Sequence, residues 1–269
     1  MAKIHKVKPL RFRSIWISDV HLGFKGCKAD YLLDFLKNTH SEYLYLVGDI
    51  VDLWSMKKSV YWPQTHNNVL RKILSKAKKG TKVVYIPGNH DEMFREHVGL
   101  HFGNIEIKKE DYHINQQGMK FLILHGDVFD SAVKCSRILE IIGNHAYDVT
   151  LELNRIVNFI RSRFGFPYWS LSAYLKHKVK NAVEYINRFE AAVAHEAHRR
   201  KVDGLICGHI HKSNLCDIDG VRYCNTGDWV ESCTALVEHR NGEMEILHWA
   251  DEMRKREQNI AAKSIKQVA

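Results

Sequence analysis

Nowhere does this sequence approach the ~20 consecutive apolar residues that a membrane-spanning helix needs, so no transmembrane anchor is expected. The basic N-terminus carries only a short apolar stretch, broken by Arg11, Arg13 and Ser14, and lacks the core of a signal peptide. Prolines number only four, and Gly/Ser-rich linkers, internal repeats and low-complexity tracts are missing. Those absences exclude an array of small modules on tethers. Six cysteines (Cys27, Cys135, Cys207, Cys216, Cys224 and Cys233) include no Cys-x-x-Cys pair. A zinc ribbon and a disulfide scaffold are therefore not expected, and buried thiols in a reducing, cytoplasmic compartment are.

What remains is the composition of one large folded domain: 269 residues, 45% hydrophobic and 26% charged. The formal charge of +9 favours anionic partners, whether nucleic acid, an acidic membrane face or a phosphorylated substrate. Charge alone does not choose among them.

Apolar runs and helical patterns alternate through the first half. Strands are expected at Ser14 to Ser18, Tyr43 to Val47 and Lys82 to Ile86, with helices at Ala29 to Thr39 and Asn67 to Lys78. From Tyr112 the texture changes to hairpins, with turns at Gln117-Gly118, Asp219-Gly220 and Asn241-Gly242. The pattern reads as an α/β protein of α+β sandwich type: two packed mixed β-sheets flanked by helices. Residues 131 to about 200 read as a helical insertion, a cap within a single domain over 1–269, and from about residue 251 follows a polar stretch, a frayed tail or a solvated helix.

Five short blocks stand at the ends of apolar runs: Asp19-Val20-His21, Gly48-Asp49-Ile50-Val51-Asp52, Gly88-Asn89-His90-Asp91, His125-Gly126-Asp127 and Gly208-His209-Ile210-His211. Each is built from metal-ligand residue types. Counting ligands gives two sites, one from Asp19, His21, Asp49 and His211 and the other from Asp49, Asn89, His125 and His209. Mixed nitrogen and oxygen ligation suits Mn2+, Fe2+ or Zn2+ better than Ca2+. Two such ions roughly 3.5–4 Å apart serve in-line phosphoryl displacement. The reaction expected is cleavage of a phosphate ester or anhydride.

All five blocks, over residues 14–130 and 204–248, resemble the calcineurin-like metallophosphoesterase superfamily. The resemblance implies two divalent ions, Mn2+ foremost, with His90 outside the metal shell contacting phosphate or protonating the leaving oxygen. It also implies that Asp52 orients His90. The opening Ile17-Ser18-Asp19-Val20-His21-Leu22-Gly23 and the insertion between the fourth and fifth blocks look most like the UDP-2,3-diacylglucosamine diphosphatases of lipid A synthesis. That branch releases UMP and an acylated sugar phosphate from a nucleotide-sugar lipid. On this resemblance Asn89, His90, Arg161, Arg163, Tyr168 and Trp169 would bind substrate, the last four from the cap. Peripheral contact with an anionic inner-membrane surface would follow, and no nucleic-acid partner is expected. Oligomeric state is not read from the sequence.

Two departures stand out. The branch tends to carry Gly-Asn-Arg-Asp where this chain has His90, and Asn225-Thr226-Gly227-Asp228-Trp229 differs from its pattern. The segment Thr226-Gly227-Asp228 could close over the substrate or form a tight strand-end turn.

Overall fold

In β1 (Leu10–Ile17), alternate side chains divide between two cores. Ile15 and Ile17 join one cluster and Trp16 joins another, as the period-2 geometry of a strand requires. The computed structural model describes residues 9–130, 171–256 and 258. In it β1 pairs in parallel with β2 (Thr39–Val47), from Leu10 opposite Thr39 to Ile17 opposite Leu46. β3 (Lys82–Ile86) and the short β5 (Ile105–Ile107) continue the parallel run. Antiparallel strands close both sides: β4 (His101–Phe102) on β5, then β11 (Thr234–Glu238) on β1 and β12 (Met244–His248) on β11. The second sheet runs β6 (Asp111–Ile114), β7 (Lys120–Ile123), β8 (Gly204–Cys207), β10 (Val221–Asn225) and β9 (Asn214–Ile218). Its three central strands are parallel to one another.

Trp16, Tyr45, Val47, Val84 and Ile86 of the first sheet form one buried cluster with Phe121, Ile123, Ile206 and Cys224 of the second. On the other face, Ile15, Ile17, Leu44, Leu46 and Val83 pack against α1 (Ala29–Asn38) and α3 (Gln64–Lys78). Burying each such side chain is worth about 1.5–3 kcal/mol, so both faces hold the strands in register.

Glu238 is a polar joint within this apolar packing. It is buried and accepts from Arg13 at 2.7 Å, Ser14 Oγ at 2.9 Å and the Gln116 N–H at 2.9 Å. His113 Nε2 lies 2.7 Å away. Burial alone would raise its carboxyl, but His113 and Arg13 hold it below the ordinary range. Strands of both sheets meet on this one carboxylate.

The two mixed sheets with flanking helices match the architecture expected from the sequence. Details differ where signals are short. β1 begins at Leu10, because Arg11 and Arg13 alternate with Leu10 and Phe12 and so sit off the core face. Helix α2 (Leu53–Lys58), a 3-10 turn at Glu92–His97 and strands β4 and β5 are too brief to show periodicity. Residues 249–256 are helical, and Trp249, fully buried, donates its indole N–H to Asp34 at 3.1 Å.

The chain divides into two compact units, Met1–Val128 with Val193–Ala269, and Phe129–Ala192. In the second, Tyr185 donates its hydroxyl to Asp130 and Phe129 meets Phe189 edge-on. Residues Leu171–Arg200 form the long helix α4. Among the described residues, no helix is long and apolar enough to cross a membrane.

Candidate metal centre

All seven candidate ligands lie just past the carboxyl ends of parallel strands, where open α/β sheets bind ligands. Asp19 and His21 follow β1, Asp49 follows β2, Asn89 follows β3, His125 follows β7, and His209 and His211 follow β8. Five of them take left-handed backbone: Asp19 (φ 50°), His21 (φ 55°), Asp49 (φ 54°), His209 (φ 71°) and His211 (φ 54°). Such a conformation costs of the order of 1–3 kcal/mol at a non-glycine residue. It turns each side chain back toward one centre as the chain leaves its strand. Glycines allow the loops to close: a Cβ at Gly88 would overlap Asp49 Oδ1, and one at Gly208 would overlap Ser18 Oγ and Asp19 Oδ2.

Three groups of ligand atoms result among the described residues, and one of them, His21, Asp49 and His90, links the other two. Asp19, His21 and His211 form the first, with His21 Nε2 3.4 Å from His211 Nε2 and His211 Nε2 3.3 Å from Asp19 Oδ1. Asp49, His125 and His209 form the second, and Asn89 Oδ1 lies 3.3 Å from His125 Nε2. Asp49 Oδ2 faces both groups, 3.4 Å from His125 Nε2 and 3.9 Å from His21 Nε2. Its other oxygen accepts the His90 N–H at 2.8 Å.

Hydrogen bonds fix which nitrogen two of the rings, His125 and His21, present. His125 Nδ1 lies 2.9 Å from the Val47 carbonyl, which can only accept, so the Nδ1 proton goes there and Nε2 faces Asp49. His21 Nδ1 is 3.2 Å from Asp52 Oδ2, which likewise turns Nε2 toward the centre. Asp52 Oδ1 lies 3.0 Å from His90 Nδ1 and accepts the Ser55 N–H at 2.7 Å, which caps α2. One carboxylate therefore steers two imidazoles.

Burial and charge compete here. Burial would raise the Asp49 carboxyl, yet His125, His21 and His90 hold it below the ordinary carboxylate range. Burial would lower His125, yet the Asp49 carboxylate pushes it up to about 10. At Asp52, burial is outweighed by hydrogen bonds from His21, His90 and the Ser55 backbone, and its carboxyl stays low.

A divalent cation fits these residues. Asp19 Oδ2 accepts from Ser18 Oγ and from the His209 N–H, whereas buried Asp19 Oδ1 has no hydrogen-bond partner among the described residues. A buried carboxylate oxygen that accepts no hydrogen bond calls for a counter-charge. It points where the imidazole nitrogens of His21 and His211 converge, a donor set suited to Mn2+, Fe2+ or Zn2+.

Residues with no role assigned from the sequence hold this centre together. Asp91, fully buried, accepts backbone N–H groups from Gly88, Asp49, Ile50 and Val51 and the Tyr85 hydroxyl. It clamps the loops after β2 and β3 to each other. Burial and the nearby Asp49 raise its carboxyl. Arg95 bridges Asp127 at 2.8 Å and the Pro87 carbonyl at 3.2 Å. Asp228 Oδ1 accepts the N–H groups of Val230, Glu231 and Ser232 and so caps the turn over residues 229–232. Asp91 stands inside its motif, but only contacts made across the fold reveal the clamp. Arg161, Arg163, Tyr168 and Trp169 lie outside the described residues.

The calcineurin-like phosphoesterase family matches residues 12–213. The UDP-2,3-diacylglucosamine hydrolase of Psychromonas ingrahamii is 26% identical over 227 residues, covering 81% of this chain and 89% of that one. The enzyme of the same name from Histophilus somni is 29% identical over 248 residues, covering 86% and 97%. Among solved structures, Yfce, a phosphoesterase from E. coli, aligns with TM-score 0.42 and 13% identity over 87% of this chain and 98% of that one.

Proposed function

Because this chain belongs to the calcineurin-like phosphoesterase family, we propose that it is a dinuclear metal-dependent pyrophosphatase. Its substrate is UDP-2,3-diacylglucosamine, and its products are UMP and 2,3-diacylglucosamine 1-phosphate. The observation that carries the metal reading is Asp49 Oδ2, placed between two groups of convergent nitrogen and oxygen donors. The substrate reading is supported by relatives named UDP-2,3-diacylglucosamine hydrolase that match over most of the chain.

Asp19, His21, Asp49 and His211 would hold one ion, and Asp49, Asn89, His125 and His209 the other. Two bound divalent ions supply Lewis acidity to the phosphoryl oxygens and to the attacking water. The chain's own part is orientation. Asp52 binds the Nδ1 side of His90, which would leave Nε2 for the phosphate. There His90 meets a phosphoryl oxygen or gives a proton to the leaving oxygen. A sugar-phosphate leaving group needs little protonation, so on this substrate His90 serves mainly to hold charge; on a poorer alkoxide it would act as general acid. Arg161 and Arg163 would neutralise phosphate, and Tyr168 and Trp169 would shelter acyl chains within the insertion at about 131–200. An anionic inner-membrane face would present the lipid at the cytoplasmic side.

The test is a Mn2+-supplemented hydrolysis panel: UDP-2,3-diacylglucosamine, simple nucleotide sugars, cyclic nucleotides, a phosphomonoester and DNA. Preferred turnover of the acylated UDP-sugar, lost in a folded His125→Ala variant, is the expected result. Preferred turnover of a diester with an alkoxide leaving group would instead favour a phosphodiesterase using His90 as acid. Full activity of His125→Ala would remove that residue from the metal site.

A further inference from the structure

A second feature touches His90 besides His21. The His90 ring meets His21 edge-on, with centroids 4.7 Å apart, and the Trp54 indole at 4.3 Å and a 35° tilt. Beside both rings opens a cavity of about 280 Å3, walled by Trp54, His90, Met56 and Met93, with Lys57 and Glu92 also on its lining. We propose that this cavity is a ring subsite, which takes the uracil of the nucleotide arm against Trp54. The proposal rests on the nucleotide-sugar reading above and adds where the base goes.

Three properties point to a single flat ring. The volume lies just below the roughly 300–1,000 Å3 range of small-molecule sites, too little for a pair of acyl chains. The wall is apolar and aromatic, and a base stacked on an aromatic side chain gains about 1–3 kcal/mol. The two charged groups are exposed, and neither enters an ion pair among the described residues. Uracil presents an N–H between two carbonyl oxygens; a carboxylate such as Glu92 accepts from the N–H, and an ammonium such as Lys57 donates to a carbonyl.

The wall is also fixed relative to the chemistry. Trp54, Met56 and Lys57 ride on α2, whose N-cap is Asp52, the same carboxylate that holds His90 and His21. Met56 reaches its place because residue 23 is glycine; a Cβ there would stand 2.7 Å from the Met56 side chain. The ring platform and the imidazole thus share one anchor.

The experiment is calorimetric titration of the full, Mn2+-loaded chain with UMP and with ribose 5-phosphate. UMP is expected to bind at least about tenfold more tightly, the gain of one stacked base. Trp54→Ala should remove about that tenfold for UMP and leave ribose 5-phosphate within about twofold, and Trp54→Phe should restore most of it. Equal binding of the two ligands by the native protein, or equal weakening of both by Trp54→Ala, would overturn the proposal. Glu92→Gln, at an exposed side chain, serves should Trp54→Ala not fold. It should weaken UMP about fivefold and leave N3-methyl-UMP, which lacks the N–H, unchanged; equal effects on both would count against the subsite. The two readings separate cleanly. UMP discrimination without turnover of UDP-2,3-diacylglucosamine would overturn the substrate reading and keep the subsite. Turnover of that lipid without discrimination would overturn the subsite alone.

Discussion

At the scale of single residues, the candidate centre depends on side chains that have traded backbone comfort for direction. Asp19, His21, Asp49, His209 and His211 all take left-handed backbone, and no Cβ fits beside Asp49 at Gly88 or beside Asp19 at Gly208. Gly208 shows the tolerance most clearly. Its missing side chain is the space that Ser18 Oγ and Asp19 Oδ2 occupy. Gly208→Ala should therefore displace the Asp19 carboxylate and lower kcat about a hundredfold, since misplacing a reacting group by ~1 Å costs on that order. Its secondary structure by circular dichroism should stay native. Unchanged kcat in a folded Gly208→Ala protein would show that Asp19 has room to shift.

At the scale of elements, the sandwich is fastened by a buried carboxylate as well as by apolar packing. Glu238 on β11 takes Arg13 and Ser14 from β1 and His113 from β6. Glu238→Ala takes the carboxylate from the buried His113 imidazole and the partly exposed Arg13 guanidinium, which costs about 1.5–3 kcal/mol. The sign with pH follows from its lowered carboxyl. Stability contributed by an acid whose folded pKa lies below its ordinary 4.5 is present above that value and lost as pH falls through the folded pKa. Urea unfolding of native and variant proteins should show the gap in full at pH 7 and narrowing below about pH 4.5. A gap independent of pH would mean that apolar contacts, not the ion pairs, join these strands. Helix α2 argues the same way for the centre: six residues long, it owes its position to the Asp52 cap that also orients His21 and His90.

At the scale of the whole molecule, the carboxylates and imidazoles gathered at one end of the sheets are expected to make stability depend on bound metal. Ions that bind only the folded chain stabilise it by about 2.7 kcal/mol at a hundred times Kd. Chelation should lower Tm, Mn2+ should restore it, and His125→Ala should blunt the difference; a Tm indifferent to chelator would argue against resident ions. Much of this was legible in the sequence. The strands ending at Ile17, Val47, Ile86 and Cys207 are local apolar runs, and the ligand types stand in short blocks directly after them. Such signals need no knowledge of distant contacts, so the fold class and the seven candidate ligands could be read from neighbours along the chain. Other features join residues 31 to 42 positions apart, as in the hold of Asp52 on His21 and of Asp91 on Asp49. Short elements such as α2, β4 and β5 leave no periodicity to read. Nor does a sequence show which carboxylate oxygen is left without a partner, or that Met56 fills the space beside Gly23 to wall a cavity. The sequence alone determined which atoms could bind metal, because that is a property of residue types and strand ends. Only the tertiary structure decided that Asp49 Oδ2 faces both groups and that His90 stands between them and an aromatic cavity, because those are distances set by packing two sheets together.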